Sequence, residues 1–346
     1  MAKLINGILV ISAILVAFVL FEVFLSFCMP IEPPSRPHIP DELKAYLKEG
    51  IPAYYPNQKG YGCYDLGDGE RYGDMVITVD GQDYNCIAYA IGESGFRTPA
   101  YQKEKHGFRI CVFGDSFSFG EGVKLDDTYP RLIERKLGLE TINLAMQGLN
   151  THWELALLKK KIALSPDLVI IDYFFNDTMP IKETINIVDL YESAFDVPPL
   201  IKFSKLASIV YTGYMQRRAN REMLTKYQKW FDASWHQIKL DFLAMQEICR
   251  KYNSDLLVLI FPLLYRFDHQ YPLENQHRAL SEFLDEANID HIDLLDAFQR
   301  YKPETLWVHK MDHHPNAMAH RVVYTEVQKW LGAHYKQLDI TVEKQP

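Results

Sequence analysis

With 346 residues, 48% hydrophobic and 24% charged, the chain has ordinary globular composition, with room for one generous domain plus appendages and none for a long disordered region. A formal charge of −8, without a Lys/Arg cluster of the kind that follows a phosphate backbone, argues against nucleic acid as a partner. Five cysteines are too few for a disulfide framework.

Residues 5–28, INGILVISAILVAFVLFEVFLSFC, form an apolar run whose helical length crosses a hydrocarbon core of roughly 30 Å. The run is longer than the apolar stretch of a cleaved secretory signal and lacks a small-residue cleavage site, so residues 1–28 read as an uncleaved membrane anchor. Lys3 precedes the helix and no early positive charge follows it, which puts the amino terminus inside and the bulk of the chain outside the cytoplasm. Glu22 is costly in lipid and is expected near the interface or at a helix contact. Cys28 faintly resembles a lipidation site, but Phe27 is too bulky for one.

Residues 29–49 contain IEPPSRPHIP and read as a stiff proline-rich spacer. Residues 50–107 are rich in Gly, Tyr, Asp and Asn, and short alternating runs such as Met75–Val79 predict small antiparallel strands, making this a β-rich segment. Cys63 and Cys86 lie here, where an oxidising compartment permits a bridge; Cys111 and Cys249 fall in apolar patterns as buried thiols.

From 108 to 334 the texture changes. FRICVFG, TINLA, DLVIIDYFF, DLLVLIFP and HIDLL are apolar runs of strand length, as a parallel sheet covered on both faces requires. Segments of helical spacing alternate with them: YPRLIERKLG, HWELALLKKKIA, HRALSEFLDEA and finally AMAHRVVYTEVQKWL. The alternation predicts a three-layer α/β domain. Residues 180–250 read as an insertion, first extended and then strongly helical, of the sort that shapes a pocket rim. Residues 335–346 form a tail.

In such a sheet ligands sit at the carboxyl ends of the strands. The first apolar run ends in Gly114-Asp115-Ser116-Phe117-Ser118-Phe119-Gly120-Glu121-Gly122. This matches neither GxGxxG nor GxxxxGK[ST], which sets nucleotide binding aside, and it also departs from the GxSxG elbow. A serine between strand and helix can still be a nucleophile, because its own N–H and the helix amino end favour an oxyanion; alternatively Ser116 simply caps the helix. The second run leads to Gly148, either a close-approach glycine or an ordinary turn. The third ends in Asn176-Asp177, where the Asn176 amide can face developing negative charge or cap a turn. Before the last helix, Asp312-His313-His314-Pro315 sets a carboxylate beside an imidazole, the pairing general-base catalysis uses. His309, Asp312, His313, His314 and His320 crowd the same stretch, but without the spacing of a metal motif, so no metal or cofactor is expected.

In order and setting these four sites resemble the blocks of the SGNH/GDSL hydrolase family, over roughly 108–334, and Gly95-Phe96-Arg97 with FRICVFGDSFSFGEGV looks like its membrane-anchored branch. The resemblance implies a flavodoxin-like α/β/α sandwich, Ser116 as nucleophile, His314 as base and Asp312 as its partner. It further implies an oxyanion hole of the Ser116 N–H, the Gly148 N–H and the Asn176 side chain. Two departures stand out: GDSF replaces GDSL, and the commonest family pattern has Asp three residues before His, where this chain has Met311. Either Asp312 reaches the imidazole from two residues away, or the site runs as a dyad. His313 is the competing base.

The expected activity is hydrolysis of ester-linked acyl groups, with O-acetyl groups on cell-surface glycans as first substrate on the strength of location. An O-acyltransferase using the same Ser/His site and a non-catalytic module binding acylated glycan are the alternatives. Oligomeric state is open.

Overall fold

A computed structural model describes residues 16–24, 59–65, 75–79, 82–92, 94–179, 204–267, 271–309 and 312–340. The spacer 29–49 lies outside the described residues, as do parts of the anchor (1–15 and 25–28), of the insertion (180–203) and of the tail (341–346).

The β-rich segment forms a three-stranded antiparallel sheet of β1 (Lys59–Asp65), β2 (Met75–Val79) and β3 (Gln82–Ala90), with β3 central. Cys63 and Cys86 are register partners, and Cys86 is disulfide-bonded. Ile87, Tyr89 and Ile91 pack with Phe119 and Ala145 in a small cluster, so this sheet touches the loops that follow the first two strands of the main domain.

The main sheet contains β4 (Arg109–Phe113), β5 (Glu140–Asn143), β6 (Leu168–Tyr173), β7 (Asp255–Ile260) and β8 (Asp290–Asp293), all parallel, in the order β5-β4-β6-β7-β8. Counted within the sheet this is 2-1-3-4-5, the flavodoxin-like doubly wound order. β4 and β6 are buried at every position, which accounts for their apolar runs lacking alternation.

Helices flank the sheet. α1 (Ser116–Phe119) is a single turn; α2 (Tyr129–Leu137) follows it, with Pro130 in its first turn and Gly138 closing it in the left-handed conformation. α3 (Thr151–Lys161) is capped by Asn150, whose side chain accepts from the Trp153 N–H. α4 (Lys205–Lys251) runs 47 residues and is followed by α5 (Glu274–Glu286), α6 (Leu295–Phe298) and α7 (Ala317–His334). α7 packs on α2, and α4 on α3. Between α6 and α7 lies a two-stranded antiparallel ribbon of β9 (Trp307–His309) and β10 (Asp312–Pro315), with a register shift between Asp312 and Pro315.

Two boundaries differ from those expected. The helical half of the 180–250 insertion is one continuous helix whose later turns belong to the domain core: Trp230, Phe231, Ile238, Phe242, Met245 and Cys249 are buried, and the helix leads directly into β7. Its helical character was legible, but not that the same helix covers the sheet. The tail begins as packed structure, since Tyr335 lies edge-on to Phe108 and its hydroxyl donates to Asp255. Among the described residues no helix is long and apolar enough to cross a membrane; of the anchor, 16–24 are described and are helical.

Candidate active site

β4 is flanked by β5 on one side and β6 on the other, so the chain reverses direction across the sheet there, and a crevice opens at the carboxyl ends of β4 and β6. Ser116 follows β4 as the first residue of α1, with 9% of its surface exposed. The cap of α1 is Asp115, whose carboxylate accepts from the Phe117 N–H at 2.8 Å. Capping therefore does not occupy Ser116, and its N–H, at the first helical position, is not used within the helix.

Two residues to which sequence reading assigned no role hold this turn. Asp172, buried in β6, accepts from the Asp115 N–H at 3.1 Å and the Ser118 N–H at 3.0 Å. Gly114 leaves it room: a Cβ there would lie 1.6 Å from the Asp172 carboxylate oxygen. Arg97, 1% exposed, donates to the carbonyls of Phe119 (2.9 Å), Gly120 (2.6 Å) and Val123 (2.6 Å) while its guanidinium lies over the Tyr89 and Phe119 rings. The signal for Asp172 was present, as an acid in the middle of an apolar strand is a buried charge that needs a task.

The imidazole arrives from β10. Residues two apart on a strand share a face, so the Asp-x-His spacing aims Asp312 and His314 the same way. His314 Nε2 is 2.8 Å from Ser116 Oγ, and its Nδ1 is 2.5 Å from Asp312 Oδ1, which also accepts the His314 backbone N–H at 3.0 Å. His313 points elsewhere and stacks on Trp307, centroids 3.9 Å apart. Burial opposes charge on the His314 ring, but the Asp312 carboxylate, helped by Glu121 and Asp115, outweighs it and lifts the group from 6.5 to about 9. The side chain is still 30% exposed, so the ring meets both Ser116 and solvent.

The oxyanion donors expected from the sequence lie on the turns that follow β5 and β6. Asn176 is the second residue of a 3-10 turn, Phe175–Thr178, that continues β6, and its Nδ2 donates to Asp115 Oδ2 at 2.7 Å. One of the two amide hydrogens is thereby fixed on Asp115, which sets the direction of the other. Gly148 has φ +75, a conformation that favours glycine, and nothing lies within 4 Å of where its Cβ would be. Its loop is tied to the nucleophile turn: the Met146 N–H donates to the Gly114 carbonyl at 3.0 Å, and Asn143 Nδ2 to the Ser118 carbonyl at 2.7 Å.

Beneath the crevice lies a group of buried acids. Burial pushes Asp115, Asp172, Asp177 and Glu154 up from the usual carboxylate range, and mutual repulsion adds to this for the last three. Asp177 accepts from Thr151 Oγ1 at 3.1 Å, whereas both Glu154 oxygens lack a hydrogen-bond partner among the described residues. Glu121, beside the His314 ring, accepts from the Tyr89 hydroxyl at 3.0 Å and is likewise raised by burial.

The residues that crowd 309–320 in sequence go separate ways. His320 is buried on Tyr129 and accepts that residue's N–H at 3.2 Å, His313 lies on Trp307, and His314 faces Ser116. Among the described residues no group of three or more His, Cys, Asp or Glu is placed to hold a metal ion. A cavity of about 210 Å³ between Thr98–Gln102 and Glu140–Ile142 lies at the amino end of β5, the end of the sheet away from Ser116.

The chain carries its Ser116–His314 contact at the switch point of a doubly wound parallel sheet. Solved structures similar to it include phospholipase A1 from Streptomyces albidoflavus (14% identity, TM-score 0.45, covering 65% of this chain and 99% of that one). Another is the acetylxylan esterase Axe2 from Geobacillus stearothermophilus (13%, TM-score 0.43, 71% and 100%). A third is a protein assigned to the lipolytic G-D-S-L family from Desulfitobacterium hafniense (16%, TM-score 0.38, 64% and 98%). No protein-family model and no curated protein matches the sequence.

Proposed function

We propose that the chain is a serine ester hydrolase. The observation that carries this is the continuous chain of contacts from Asp312 through both ring nitrogens of His314 to Ser116 Oγ, at 2.5 and 2.8 Å. On this reading His314 takes the Ser116 proton as Oγ attacks an ester carbonyl. The Ser116 N–H, Gly148 N–H and the free Asn176 amide hydrogen receive the oxyanion. His314 returns the proton to the leaving alcohol, then activates a water that releases the acyl group. Asp312 fixes the tautomer and steadies the imidazolium.

Residues 5–28 anchor the chain in a membrane, with the catalytic domain on the extracytoplasmic side. The disulfide at Cys86 supports that side, because such bonds persist in oxidising compartments. The location favours ester-linked acyl groups of cell-surface glycans, O-acetyl first, as substrate. The test is release of acetate or p-nitrophenol by the full chain in detergent. Wild-type protein no faster than Ser116→Ala on esters of several acyl lengths overturns the hydrolase.

A further inference from the structure

Glu22 is the one residue of the helical stretch 16–24 that is not exposed; its neighbours Val16, Phe18, Val19, Leu20, Phe21, Val23 and Phe24 all are. It is taken up by the amino end of α4. Ser204 Oγ donates to Glu22 Oε1 at 2.5 Å, and the Leu206 N–H lies 3.3 Å from both carboxylate oxygens. Ser204 is also the cap of α4, accepting the Ala207 N–H at 3.0 Å. A helix amino end carries partial positive charge and unsatisfied N–H groups, so it is a counterpart for a carboxylate that would otherwise be costly in lipid.

The first turns of α4 have a matching character. Val210 and Tyr214 are exposed at 62% and 61%, and Arg217 and Arg221 are exposed farther along. These four stand at i, i+4, i+7 and i+11, one stripe of the helix that passes from apolar to cationic. From Val210 to Arg221 the helix rises about 16 Å, close to half of a hydrocarbon core of roughly 30 Å. Glu22 lies six residues before the end of the apolar run at Cys28.

We propose that the amino end of α4 enters the outer leaflet beside the anchor, with Glu22 joining the two. Val210 and Tyr214 meet acyl chains, and Arg217 and Arg221 meet anionic headgroups. This rests on the anchor reading above and adds a second lipid-contacting element, whose exposed apolar residues give way to arginine within about two turns. The partner is the bilayer, since the stripe places its positive charge one leaflet's depth from its apolar end, where phosphate groups lie.

The test uses the full chain in vesicles of phosphatidylcholine with phosphatidylglycerol. A polarity-sensitive fluorophore is attached at Val210→Cys, Tyr214→Cys or, as control, Leu240→Cys, an exposed site farther along α4. The background is Cys28→Ser; Cys111 and Cys249 are buried and Cys86 is bridged. Labels at 210 and 214 are expected to shift to the blue and be quenched by acyl-chain nitroxides, while the label at 240 does neither. Adding Arg217→Glu with Arg221→Glu is expected to reduce the quenching. If the labels at 210 and 214 behave like that at 240 while the protein still floats with the vesicles, the inference is overturned and the anchor stands. Failure to float overturns the anchor itself.

Discussion

Asp312 reaches His314 from two residues away because a single strand presents both to the same side, and one carboxylate oxygen takes the ring Nδ1–H and the backbone N–H of His314 together. The shortened spacing is thus compatible with a complete relay. Asp312→Asn is expected to cut kcat by about 10³ to 10⁴, since the amide favours the wrong tautomer. His313→Ala is expected to keep near wild-type kcat, its ring being engaged with Trp307. Steady-state kinetics on p-nitrophenyl acetate check both; equal losses in the two variants count against the assignment.

The base must be neutral to accept a proton, and His314 is lifted to about 9 by Asp312 against the effect of burial. Rate should therefore climb with pH and level off only near that value. Removing the carboxylate removes the cause, so in Asp312→Asn the midpoint of the acid limb should move down, toward the ordinary imidazole range. Profiles of kcat/KM from pH 5 to pH 10 decide it; superimposable limbs in the two proteins contradict the electrostatic account.

Gly114 has Asp172 where a side chain would go, so Gly114→Ala must push the carboxylate off the Asp115 and Ser118 N–H groups. A loss of about 3 kcal/mol is expected, from overpacking and stranded buried donors combined. Arg97→Lys keeps the charge but not the fork that reaches three carbonyls, and should cost about 1 to 3 kcal/mol. Urea unfolding measures both. If Arg97 positions the nucleophile turn, kcat of the folded fraction falls while KM holds.

His320 is held near 3 by burial, with Arg97 adding to the effect, and so is neutral in the folded protein over most of the acid range. Unfolded, it takes up a proton below about 6.5. The unfolded chain then binds more protons, and stability contributed by this residue is lost as pH falls from about 6.5 toward 3. His320→Gln removes that titration and retains an acceptor for the Tyr129 N–H. Its melting temperature relative to wild type should rise steadily as pH is lowered from 7 to 4. A constant difference refutes the linkage.

The main domain was largely readable because each strand of a doubly covered sheet must be apolar along its length, and the alternation with helices followed from period alone. Ser116, Gly148 and Asn176 were legible as candidates because they follow those strands, and His314 because a carboxylate stands close before it ahead of the last helix. Whether Asp312 could reach Nδ1 was not readable, as it depends on β10 being extended at that point. The tasks of Asp172 and Arg97 were not readable, because each acts on backbone groups far away in sequence, which no spacing encodes. The union of Glu22 with Ser204 escaped for the same reason: 182 residues separate the partners.

The hydrogen bond from Asn176 to Asp115 has a consequence for descent. The acid beside the nucleophile and the amide after the neighbouring strand form one exchangeable unit: altering Asn176 leaves the buried Asp115 carboxylate with one donor fewer, and altering Asp115 leaves the half-buried amide without its acceptor. Lineages of this chain should therefore change the two positions together or not at all, and a collection of relatives in which they vary independently would contradict the coupling.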